Sequence, residues 1–241
     1  MASVTVEAAP RKINPERPIY GMAAIVALAI IFAGFAPTYY LKTFTAAPDL
    51  STLKHVHGLV MTAWFALFFA QARLVATGRT AIHRQLGVAG IFMAMLVVAT
   101  GTTLGIASAR AGVSPAPNMP PLVFLVMPLG EMVMFSVFFI AAIALRTRSA
   151  WHKRLMVLAS LGMLAPAFAR IVKATGLPGP AMFGLVDILV IGCVVYDTVK
   201  NRRLHPAFGW GLAVFILVGQ GGRIALAQSA AWKSCASWLV G

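Results

Sequence analysis

The sequence predicts an all-α polytopic membrane protein, a single seven-helix transmembrane bundle with its N-terminus inside and its C-terminus outside. Three observations predict it. Apolar residues make up 60% of the 241 and charged residues only 11%. The apolar residues fall in long runs, not in short alternating segments. A hydrocarbon core of ~30 Å asks for about 20 such residues per helix. In lipid the backbone must satisfy its own hydrogen bonds, which leaves helices or closed barrels, and runs of this length choose helices. Lysine and arginine also crowd alternate connections, as expected of cytoplasmic loops.

A basic tail over residues 1–18 comes first, with Arg11, Lys12 and Arg17. The span Ile19–Tyr39 follows; its apolar run is longer than a signal-peptide core and "FAGFAPTYYLK" offers no small-x-small cleavage site, so it reads as a permanent helix. The second span, His57–Val75, carries almost nothing polar between His57 and Gln71. The third is Leu86–Ala107, and the longest connection, "ARAGVSPAPNMPP", leads to the fourth, Pro121–Leu145. Leu155–Ile171, Met182–Val199 and Phe208–Ala227 complete the set. Each is bounded by charges, prolines or glycines, and the connections are too short for a second soluble domain. One bundle therefore occupies residues 19–229, and residues 230–241, "AAWKSCASWLVG", form an outer interfacial tail. Tyr39, Tyr40, Trp210, Trp232 and Trp238 suit interfacial aromatic belts.

Charge fixes the expected orientation. The tail (Arg11, Lys12, Arg17) and the second, fourth and sixth connections (Arg73, Arg79, Arg84; Arg146, Arg148, Lys153, Arg154; Lys200, Arg202, Arg203) hold 13 of the 20 basic residues. Lys42, Lys54, Arg110, Lys173 and Lys233 fall on the other side. The formal charge of +14 thus reads as attraction to an anionic inner leaflet, at ~1 kcal/mol per basic residue near the surface. Nucleic acid is excluded as a partner, because the charge is divided among short loops between spans. Cys193 and Cys235 lie too far apart in this topology for a disulfide and match no metal-binding spacing.

Ionisable residues inside a membrane are costly and usually face the bundle interior or a wet cavity. Glu131 lies near mid-depth of the fourth span, Asp187 in the outer half of the sixth, Arg170 near the outer end of the fifth, and Gln220 and Arg223 in the outer part of the seventh. On the second, His57, Met61, Trp64, Phe68 and Gln71 share one stripe at about 100° per residue. His57 is therefore expected to face inward and His55 to cap the helix or meet headgroups. His57, Glu131, Arg170, Asp187, Gln220 and Arg223 form the candidate ligand-binding set, gathered from five helices. The alternative is a buried ion-pair network that only fixes helix register. Pro128 and Gly130 precede Glu131, and Pro166 lies four residues before Arg170. A proline removes an amide donor and opens the preceding turn, so a wet cavity is expected beside both charges.

His83, His152 and His205 stand at the inner starts of the third, fifth and seventh spans, each beside arginine or lysine. Histidines from separate helices at one depth form a candidate cofactor site, with haem b as the cofactor they suggest. Their place at the interface argues against it, and the bland alternative is helix capping or headgroup contact.

The segments "HVHG", "GRTAIHRQLG", "PLGE", "WHKRLM", "VYD" and "QGGRIAL" together resemble, over nearly the whole chain, an uncharacterised family of bacterial seven-helix inner-membrane proteins. The resemblance implies the topology and the importance of His55, His57, His83, Arg84, Glu131, His152, Arg170, Asp187, Tyr196, Asp197, Gln220 and Arg223. It implies no activity. Relatives often carry aspartate after "PLG", where this chain has Glu131, which keeps the charge and lengthens the reach. A looser similarity is to two-haem cytochrome b families, from which the chain departs on the outer side, where a single helix supplies both histidines. Three functions stay open. One is redox work with haem b or a quinone, set slightly ahead. Another is transport or sensing of a small anionic or amphiphilic ligand. The third is a metal-dependent membrane enzyme using His57, Asp187 and Glu131. Catalytic residues and protein partners are not assignable from the sequence.

Overall fold

The computed structural model describes residues 17–116 and 119–241; the basic tail up to residue 16, with Arg11 and Lys12, lies outside the described residues. Seven helices are long and apolar enough to cross a membrane: α1 (Ile19–Tyr40), α2 (Thr52–Ala76), α3 (Thr80–Arg110), α4 (Pro121–Ala144), α5 (Ser149–Thr175), α6 (Ala181–Asn201) and α7 (Pro206–Gln228). A short α8, Ala230–Val240, closes the chain. Among the described residues there is no strand.

Most helices start earlier than the apolar runs do. Helix α2 begins at Thr52, where the Ser51 side chain accepts from the Lys54 amide, so His55 lies in its first turn and His57 well inside it. Likewise α3 starts at Thr80 and α5 at Ser149. Hydropathy marks where lipid contact begins, whereas helical hydrogen bonding continues through polar first turns, which in α2 a side-chain cap completes.

The bundle is greasy outside as well as inside. Met22, Ile25, Phe32, Leu59, Phe92, Val133, Ile140, Ile188, Val199 and Leu217 all project outward from the spans. An apolar belt of this extent suits lipid as the surrounding solvent. Helix α5 is the central one, with 67% of its span window buried, and it packs against α1, α4, α6 and α7. Without a hydrophobic drive between helices in lipid, close van der Waals fit must hold them. Helix α1 supplies it with buried Ala23, Ala24 and Ala27. At Gly34 a Cβ would come within 2.6 Å of the Ala167 carbonyl oxygen, so α1 and α5 meet backbone to backbone. Between α2 and α4, Trp64 sits edge-on to Phe135 and Phe139, ring centres 4.9 and 5.7 Å away.

A second, smaller core forms at the far end, where α8 covers α3 and α4 with Trp232 and Ala236 against Ala109, Val123 and Leu125. The Trp232 indole N–H donates to the Leu122 carbonyl at 2.9 Å. Arg110 holds the carbonyls of Val240 and Leu239 at 2.8 and 3.2 Å. Trp232 is thus a buried docking residue and not the belt anchor expected of it; Trp210 and Trp238 are exposed, as belt residues are.

Candidate functional site

Helices α4, α5 and α7 each break their regularity. In α4 the helix is interrupted at Leu125, three residues before Pro128. In α5 a 3₁₀ turn, Gly162–Leu164, comes just before Pro166. Each break lies within the turn preceding a proline, as the missing amide donor requires. In α7 residues Leu217–Gly222 form a π-turn, which no proline announces; π-turns insert one extra residue and recur at functional sites.

The breaks of α5 and α7 border a small cavity of ≈ 10 Å³, lined by Glu131, Gly162, Met163, Phe215, Gly219 and Arg223 among others. That is about the volume one water needs. Glu131 and Arg223 pair at its wall, Oε1 to Nη1 at 3.7 Å, with side chains 11% and 10% exposed. Arg223 also donates through Nη1 to the Met127 carbonyl at 3.0 Å, and through Nε to the Gly219 carbonyl. The Met127 carbonyl lies one turn before Glu131, so the arginine binds both the backbone and the acid of α4 at the same level. A Cβ at Gly130 would collide with the aliphatic part of the Arg223 side chain, so glycine is what lets the arginine cross α4.

The other candidates form separate contacts. Asp187 accepts from Gln220 Nε2 at 2.5 Å. His57 faces inward as expected, its Nδ1 3.2 Å from Thr100 Oγ1 on α3. Arg170 donates to the Pro166 carbonyl at 2.9 Å and lies over the Phe35 ring, 4.1 Å from its centre. Of the two acids and two arginines that the alternative of a buried ion-pair network would join, Glu131 and Arg223 pair, while among the described residues Asp187 meets an amide and Arg170 a carbonyl and a ring. The metal set of His57, Asp187 and Glu131 is likewise not assembled, since among the described residues no three such side chains gather around one point. These side chains lie on different helices and are each turned to a different neighbour.

At the basic end the three histidines divide. His83 and His152 approach with ring centres 6.3 Å apart. His152 Nδ1 is 2.8 Å from the Ala142 carbonyl, which places its proton on Nδ1 and leaves Nε2 as the acceptor. His83 Nδ1 is buried with no partner. His205 does not join them, a correction to the three-histidine set. It packs edge-on to Trp151 at 5.3 Å, and its Nδ1 caps α7 by accepting from the Ala207 amide at 3.1 Å.

Sequence reasoning missed the most tightly built polar contact. Arg154, 2% exposed, grips Asp197, also 2% exposed, in a bidentate pair: Nε to Oδ2 and Nη2 to Oδ1, both at 2.8 Å. Tyr20 of α1 adds a hydroxyl donor to Asp197 at 3.3 Å. This pair ties α5 to α6 and α1. Its signal was a lone acid at the basic end of one apolar run with an arginine at the matching end of another. The chain matches no protein-family model, no curated protein and no solved structure.

Proposed function

We propose that this is an integral protein of a bacterial inner membrane, N-terminus inside, that binds a cofactor or small ligand within its helical bundle, with redox work through haem b or a quinone as the leading form. The observation that carries binding is the buried Glu131–Arg223 pair at the wall of a cavity that the irregular segments of α5 and α7 border. Irregular backbone at membrane depth is tolerated where protein or water satisfies it, and a guest larger than one water would enter by parting α4 from α7. The redox form draws its support from His83 and His152. They are two imidazoles from separate helices brought side by side, ring centres 6.3 Å apart. The Ala142 carbonyl behind His152 is the kind of outer contact that orients a ligating imidazole. These two residues would hold the iron, and haem when bound would supply one-electron chemistry.

The test is an absorption spectrum of the detergent-purified protein, oxidised and then dithionite-reduced, with elemental analysis and a quinone assay of its lipid extract. A Soret band that shifts on reduction and vanishes in His83→Ala and His152→Ala, but not in His205→Ala, supports the haem form. A colourless, metal-free and quinone-free protein sinks the redox reading. A second reading, transport or sensing of a small anionic ligand, is favoured by the buried Arg223, whose guanidinium would grip the anion while Glu131 relays a proton. Glu131→Gln and Asp187→Asn proteins that fold but lose ligand or cofactor support a binding site. If both melt or are degraded instead, the charges brace the bundle.

A further inference from the structure

At the basic end, away from the Glu131–Arg223 cavity, a second cavity of ≈ 80 Å³ opens between α5, the end of α6 and the start of α7, lined by Ala150, Arg154, Asn201, Arg203 and His205. It has several times the space one water needs and suits a tetrahedral oxyanion.

Its wall is built from the connection between α6 and α7. Arg202 caps α6 in the left-handed region, φ 53°, a conformation uncommon outside glycine, asparagine and aspartate. The chain reverses there, with the Arg203 amide donating back to the Thr198 carbonyl at 3.2 Å, which brings Arg203 and His205 to the same hollow. His205 is set up as a donor. Its Nδ1 is engaged by the Ala207 amide, so the neutral ring carries its proton on Nε2. Arg154 is held rigidly by Asp197 and the Ala150 carbonyl. Asn201 is fixed by its Nδ2, 2.8 Å from the Asp197 carbonyl. With Asp197 balancing Arg154, the charge of Arg203 gives the hollow a net positive character.

We infer that this hollow is a binding site for a phosphate-type oxyanion, gripped by Arg203 and His205. Basic pockets between helix ends at a membrane surface take lipid headgroups, and a free phosphate group offers the same chemistry.

The test follows thermal unfolding of the full chain in two settings: in neutral detergent with sodium phosphate against sodium chloride at equal ionic strength, and in vesicles of phosphatidylcholine with or without phosphatidylglycerol. Wild-type protein is expected to be stabilised in at least one setting. Arg203→Ala should then need roughly tenfold more anion for the same shift, the loss expected of one charge-assisted contact, and Arg203→Ala/His205→Gln more again. Lys233→Ala, at the opposite end of the bundle, should respond as wild type. Arg203→Gln serves the same purpose if alanine lowers expression. Stabilisation by phosphate in neutral detergent identifies a free oxyanion; stabilisation only by phosphatidylglycerol identifies a lipid headgroup. No shift of the wild type in either setting overturns the site, as does an equal shift in the Arg203 and Lys233 variants, which would mean diffuse surface attraction.

Discussion

The residue that concentrates the most structural work is Arg223, which joins Glu131, the Met127 carbonyl and the Gly219 carbonyl. Removing one partner of a buried pair costs ~3–5 kcal/mol, so Arg223→Ala should sharply lower the unfolding midpoint in detergent. Glu131→Gln should cost less, because glutamine retains an acceptor and both carbonyls keep their donor. A Glu131→Gln/Arg223→Gln double variant should be less unstable than the two single losses added together, which a thermal double-mutant cycle would read. His205 governs a different dependence. Burial pushes its pKa below the ordinary histidine value, the Arg154, Arg203 and Lys153 charges push the same way, and Asp197 opposes them. Its contribution to stability is then complete above the unfolded value of ~6.5 and declines as pH falls below that toward the folded value. Melts across this window should show wild type losing stability on acidification and His205→Gln losing less. The inward turn of His57 was legible from helical period alone. The Arg154–Asp197 pair was not, because counting Arg154 as loop charge hid that helix α5 begins before it.

At the scale of elements, the prolines announced two of the three irregular segments, and each broke where the absent amide demands. The π-turn of α7 was illegible: it needs no particular residue, and the glycines in "VGQGGR" fit an ordinary helix equally well. It nevertheless sets the azimuth of Arg223. Deleting Gly221 would remove the extra residue, restore a regular helix and leave Arg223 on its present azimuth, whereas deleting Gly221 and Gly222 together would swing everything beyond by about 100° and carry Arg223 off Glu131. The double deletion should destabilise about as much as Arg223→Ala and the single one far less, with circular dichroism showing helix content kept in both. Close packing of α1 on α5 yields a further expectation. Gly34→Ala puts a methyl against backbone, where overpacking costs ~1–3 kcal/mol. Gly21→Ala, with nothing within 4 Å of the new Cβ, should be neutral in the same melt.

For the whole molecule, composition and apolar run length were enough to expect seven membrane-length helices, because lipid imposes one backbone solution on any such run. Partner choice among polar groups was not legible in the same way. It depends on rotations of helices that hydropathy does not encode, which is why six expected site residues resolved into separate contacts. The far end bears on how the protein comes into being. Trp232, Ala236 and the carbonyls of Leu239 and Val240 that Arg110 holds all follow the seventh spanning helix in the chain. Chains assemble from the N-terminus during translation, so the ends of α3 and α4 emerge well before the segment that covers them. Coverage is therefore a late step of biogenesis: a nascent chain arrested before Ala230 should be cut by protease near Arg110, and one extended past Val240 should resist.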